Sequence, residues 1–119
     1  MNRKIVNFRD LNIWQLGMEI ARDIYEVSTK FPREEQFGLI SQMRRASVSI
    51  PSNIAEGFNR FHNKEYRQFL FTALGSLAEL ETQIELCSQL NYLDPLKKNE
   101  LIEKLIFETK MIRSLIKKL

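Results

Sequence analysis

The stretch QFGLISQMRRASVSIPSNIAEGFNR, from Gln36 to Arg60, carries a helical apolar period straight across a proline. Leu39, Met43, Ala46, Ile50 and Ile54 recur at spacings of three and four, so one face is apolar on both sides of Pro51. The pattern predicts a helix that kinks at Pro51 and does not stop there. Pro51 removes a backbone donor and crowds the carbonyl of Ser47, a cost of about 3 kcal/mol in a helix interior that the surroundings must offset. A second flank of the same helix carries Ile40, Val48, Ala55 and Phe58, outside the core stripe. Two apolar faces call for two partners, the chain's own core and another surface, most simply a second copy. Ile40, Val48, Ala55 and Phe58 are therefore the candidate oligomer interface.

Working outward, Pro32 closes an earlier helix near 11–30 whose stripe is Ile13, Leu16, Gly17, Ile20, Ala21, Ile24, Val27 and Phe31, capped by Asp10 or Asn12. The central helix spans 35–59, opened by Glu34 and Glu35 and closed by Gly57 as a C-cap. A third helix near 64–91 follows, with Asn63 as its cap and Tyr66, Leu70, Ala73, Leu74, Leu77, Leu80, Ile84 and Cys87 as its stripe. Asp94-Pro95 starts a fourth near 95–118. No alternating run bounded by turn pairs reads as a strand. Four amphipathic helices with short connectors predict an all-α, antiparallel up-down-up-down four-helix bundle in a single domain over residues 1–119. Ser47, Asn53 and Glu81 fall inside apolar stripes, so they form a candidate buried polar set in which Glu81 pairs with Asn53 or an arginine.

The single cysteine cannot form an internal disulfide, and no apolar run approaches signal-peptide or membrane-span length, which predicts a cytoplasmic protein with no membrane association. Bundle cores hold di-metal centres through inward glutamates and Glu-x-x-His pairs, but the one histidine, His62, has no acidic residue three positions before it. No metal site, cofactor, phosphate loop or catalytic set is expected, and the protein reads as a non-enzyme. The net charge of +3 is unevenly spread: a basic amino-terminal half and a basic last helix turn flank an acidic middle over residues 76–103. Lys110, Arg113, Lys117 and Lys118 complement the negative end of the final helix. Arg60, His62, Lys64 and Arg67 cluster around a helix start, interleaved with Phe58, Phe61 and Tyr66, and form the candidate RNA or DNA site. Arg44 and Arg45 are a second, weaker cluster. Phe61 and Tyr66 also lie in core phase.

FRDLNIWQ, then FPREEQFGLISQMRRASVSIPSNIAEGFNR, then FLFTALGSLAELETQIELCSQLNYL, are similar to the four-helix bundle proteins encoded by intervening sequences in 23S ribosomal RNA genes. The resemblance covers roughly residues 7 to 95, with SIPSNIAEG and SLAELETQ as its distinctive segments. It implies a small bacterial cytoplasmic bundle that assembles with itself as a ring-like homopentamer. The related accessory proteins of diversity-generating retroelements bind a reverse transcriptase and nucleic acid, which makes RNA, DNA or a protein the implied partners. The family has no established catalytic residue. Two functional expectations result: a homo-oligomer that binds RNA or DNA through a basic surface, or an oligomeric interaction scaffold or accessory subunit with no direct nucleic-acid contact.

Overall fold

A computed structural model describes residues 5–119, so the first four residues of the expected 1–119 domain, with Arg3 and Lys4, lie outside it. Among the described residues it is all-helical, with α1 (Asn12–Ser28), α2 (Leu39–Phe58), α3 (Asn63–Gln89) and α4 (Pro95–Lys118) and no strand. Short 3₁₀ turns at Phe8–Asp10 and Arg33–Glu35 precede α1 and α2. The helix α3 alone is about 40 Å long at 1.5 Å per residue, which sets the 47 Å long axis of the molecule.

Named contacts run in opposite senses along every neighbouring pair. From α1 to α2, Ser28 meets Arg44 and Gly17 meets Pro51; from α2 to α3, Met43 meets Cys87, Ser49 meets Ser76 and Gly57 meets Phe69. From α3 to α4, Glu85 meets Lys98 and Arg67 meets Leu119; from α1 to α4, Asp23 meets Lys104 and Gly17 meets Glu108. The bundle is therefore antiparallel and up-down-up-down, closed by α1 against α4. Its core takes Ile13, Ile20 and Ile24 from α1, Met43, Ile50 and Ile54 from α2, Leu70, Leu77, Leu80 and Ile84 from α3, and Leu101, Leu105 and Ile112 from α4.

The helix α2 passes through Pro51 unbroken, and Pro51 is buried. Across from it α1 presents Gly17, where an added Cβ would lie 3.4 Å from the Pro51 Cβ and 3.1 Å from Glu108 Oε2. Glycine thus lets α1, α2 and α4 meet at one point, and burial of the proline ring offsets part of the lost hydrogen bond.

Several local expectations are corrected by packing. The cap of α1 is Leu11, which makes no side-chain bond; Asn7 instead caps the preceding 3₁₀ turn, accepting from Arg9 N at 2.9 Å. Helix α1 ends at Ser28, before Pro32, and Phe31 reaches the core from outside the helix. The residue before α3 is His62 in extended conformation, and Asn63 is already helical. Gly57 is not a C-cap: it lies buried inside α2, where a Cβ would sit 2.8 Å from the Phe69 Cβ. Asp94 does cap α4, accepting from Lys97 N at 2.8 Å, with Pro95 at the first helical position.

Ile40 belongs to the core and not to an outer face, because α2 is embraced by α1 and α3 over a wider arc than one stripe. Ser47 is buried and donates to the Arg44 carbonyl at 2.9 Å. Asn53 is half-buried and does not pair with Glu81: its amide donates to Ser49 O at 2.8 Å and Ser49 Oγ at 2.9 Å, and Ser76 Oγ donates to Ser49 Oγ at 2.9 Å. The polar tie between α2 and α3 is Asn53–Ser49–Ser76. Glu81 is half-buried and makes no hydrogen bond or ion pair among the described residues. Ser49→Ala removes the shared partner, and chemical denaturation should register a loss of about 1 kcal/mol; no loss would show that the triad does not hold the two helices.

Glu108 is the buried acid that the apolar pattern of α4 concealed. It has no solvent exposure, both carboxylate oxygens lack a partner, and burial pushes its pKa up to about 8 from 4.5. A group whose folded pKa is raised contributes fully below the unfolded value and loses that contribution as pH climbs through the folded one. Stability should therefore fall between about pH 4.5 and about pH 8. Glu108→Gln, which keeps the shape of the neutral acid, should remove this slope in thermal unfolding followed from pH 5 to 9; an unchanged slope would assign it to other groups.

Candidate nucleic-acid interface

The α2–α3 connector, residues 59–62, is short enough to force a reversal at one end of the bundle. Phe58 and Tyr66 brace it from either side, their rings 6.1 Å apart and edge to face. Burial of Tyr66 pushes its phenol up to about 12, so it stays neutral. Phe61 does not follow its core phase. It stands 99% exposed at the tip, because the chain has already left α2 at Phe58 and has not yet entered α3.

Around this ring the predicted cations have different employments. Arg60 reaches Glu56 at 3.5 Å and lies over the Phe69 ring at 4.9 Å. His62 and Lys64 are exposed. Arg67 donates through Nη1 to the Leu119 carbonyl, which ties the first turns of α3 to the end of α4. That bond brings the last basic turn, with Lys117 and Lys118, to the same end as the connector. A cleft lined by Leu11, Asn12 and Ile13 together with Lys110, Met111, Ser114, Leu115 and Lys118 shows that α1 begins there too. The connector, the start of α1 and the last basic turn of α4 thus share one end of the bundle, where Asp10, Glu56 and Glu65 are the opposing charges.

The carboxy-terminal lysines were legible only as partners of a helix dipole; the bundle topology makes them part of one surface with the connector. Both basic segments and the up-down connectivity stand in the sequence, and combining them would have found the convergence.

Arg44 and Arg45 do not join this surface. Arg44 donates through Nε to Ser28 Oγ at 2.9 Å and through Nη2 to Tyr25 O at 3.3 Å, and lies over the Tyr25 ring at 4.6 Å. It bolts α1 to α2 toward the opposite end of the molecule. Arg45 bonds Ser41 Oγ at 3.2 Å and lines a groove with Gln42, Ala46, Ser49, Ser76 and Glu79. Of the remaining flank residues, Val48 is exposed, while Ala55 and Phe58 are half-buried.

Among the described residues no group of His, Cys, Asp and Glu is placed to hold a metal ion. Cys87 is buried with its sulfur 3.4 Å from Met43 Sδ, and burial, aided by the Glu35 charge, pushes the thiol up to about 12. It sits toward the end opposite His62, so the two do not meet. No described helix is long and apolar enough to cross a membrane.

Comparison with known proteins agrees with this architecture. A crystal structure of a protein of unknown function from the S23 ribosomal protein family of Bacteroides thetaiotaomicron VPI-5482 superposes with a TM-score of 0.80. The two are 22% identical, with 88% of this chain and 98% of that one covered, a likeness of fold. A search of curated proteins finds no match. The family described as 23S rRNA-intervening sequence protein matches residues 9–114, nearly the whole bundle, and the chain belongs to that family.

Proposed function

We propose that the chain is a non-enzymatic, cytoplasmic homo-oligomer that binds RNA or DNA through the basic end of the bundle. The observation that carries this reading is Phe61, an aromatic ring almost wholly in solvent, flanked in sequence by Arg60 and His62 and standing at the end of the bundle that the last turn of α4 also reaches. A solvated phenylalanine has no role in the fold of one copy, whereas bases stack on such rings and phosphates seek the cations beside them. Unpaired bases offer their faces and duplex bases do not, so single strands are the preferred class.

His62, Lys64, Lys117 and Lys118 supply phosphate contacts in this reading, since Arg60 and Arg67 are already engaged within the chain. The membership in a family named for an insertion in ribosomal RNA genes supports a ribonucleoprotein setting. A homo-oligomer, a homopentamer if the resemblance extends to subunit number, repeats this small site and raises its avidity.

Fluorescence anisotropy with a labelled single-stranded RNA and a matched duplex, over a range of salt, tests the proposal. Single-strand affinity should fall by about 0.7 log units per phosphate contact for each log unit of salt. Phe61→Ala should weaken it by about tenfold or more, with helicity retained. A Lys64→Gln, Lys117→Gln, Lys118→Gln triple variant should flatten the salt slope. If neither RNA binds at low salt while the protein is folded and its mass is that of wild type, the interaction-scaffold reading replaces this one, and a protein partner becomes the object of search.

A further inference from the structure

Alongside the Asn53–Ser49–Ser76 tie, the surface between α2 and α3 holds a groove of about 280 Å³. Buried Ala46 and half-buried Ser49 and Ser76 form its floor, and exposed Gln42, Arg45 and Glu79 its walls. The segments SIPSNIAEG and SLAELETQ meet here, the first through Ser49 and Asn53, the second through Ser76, Glu79 and Gln83. The walls carry one charge of each sign, yet the charges do not pair across the groove. Arg45 is turned back along its own helix to Ser41 Oγ at 3.2 Å, and Glu79 makes no ion pair among the described residues.

The hydrogen bonds around the groove are unbalanced in a consistent sense. On the α2 side Ser49 Oγ accepts from Asn53 and from Ser76, both at 2.9 Å, and its own proton has no acceptor among the described residues. With Arg45 this side offers donors. On the α3 side Gln83 is 7% exposed and lies one turn from Glu79; its amide nitrogen touches Glu79 Oε2 at 3.4 Å, while its Oε1 is buried without a partner. A buried amide oxygen that lacks a donor is destabilising, and a guest N–H entering beside Glu79 relieves it. This side offers acceptors. Glu79 repels an anion that brings no cation with it, and the lining has no aromatic ring on which a nucleobase could stack. A volume below the roughly 300–1,000 Å³ of drug-sized sites keeps the guest small. We infer that the groove binds a small zwitterion of the α-amino acid kind, with its carboxylate on the Arg45 guanidinium and the Ser49 hydroxyl and its ammonium on Glu79 and Gln83 Oε1. Ser49 lies nine residues, roughly 14 Å, before α2 ends at Phe58, so the site is separate from the basic end.

Titration of the isotope-labelled chain with each standard amino acid in turn, followed by amide NMR, tests the inference at up to about 10 mM, because exposed charge contacts support only weak binding. Saturable shifts should gather at residues 42–49 and 76–83 for at least one amino acid. Acetate and methylammonium, each carrying half of the charge pair, should bind at least about tenfold more weakly. Arg45→Gln and Glu79→Gln, at exposed positions, should keep wild-type helicity and each weaken binding by about tenfold. Phe61→Ala, which acts on the basic end, should leave amino-acid binding unchanged. If no amino acid moves these resonances, or if acetate alone matches the best of them, the zwitterion site is overturned, and RNA affinity measured on the same samples reports separately on the basic end.

Discussion

Burial of Pro51 inside an unbroken helix is the constraint on which the rest of the bundle depends. A proline at this place leaves the Ser47 carbonyl without its usual donor, so α2 holds only because neighbours enclose it. Gly17 of α1 lets the ring be covered, and Glu108 of α4 fills the space beside it. Three helices thus share one junction. Its cost is an acid sealed from water with no partner, held neutral by that same burial. The sequence gives up stability at this point, and a defined crossing of the three helices is the physical return: a Cβ on α1 would touch the proline at an ordinary 3.4 Å but crowd the Glu108 carboxylate at 3.1 Å.

The face between α2 and α3 is fixed differently, by close approach and a polar tie. Gly57 brings α2 against Phe69 and Tyr66 near the connector, Asn53, Ser49 and Ser76 join the helices in the middle, and Met43 meets Cys87 further along. Each contact pins the register of the pair, so the connector leaves α2 and enters α3 at defined residues. That is why Phe61 is presented to solvent and not folded under. The tip inherits its shape from packing some distance away.

The same registration explains how the basic end is assembled. Antiparallel order returns α4 to the place where α3 begins, and the bond from Arg67 to Leu119 closes the circuit. Cations from two distant stretches of sequence then share one surface, while Arg44, of the same chemical type, is consumed in holding α1 to α2. Whether an arginine faces a phosphate or a neighbouring helix is decided by where its helix stands, not by its neighbours in sequence.

By itself the sequence determined the four helices, their antiparallel order, the passage of α2 through Pro51 and most of the core, because apolar periodicity and short connectors follow from backbone geometry that every residue obeys. It also carried the family resemblance and the loop cations. Tertiary structure alone decided that Asn53 bonds Ser49 and not Glu81, that Ile40 is core, that Gly57 makes room and does not cap, that Phe61 escapes the core, and that Glu108 is sealed inside. Those outcomes depend on which side chain happens to face which across a helix pair. A distance between helices has no period in the chain from which it could be read.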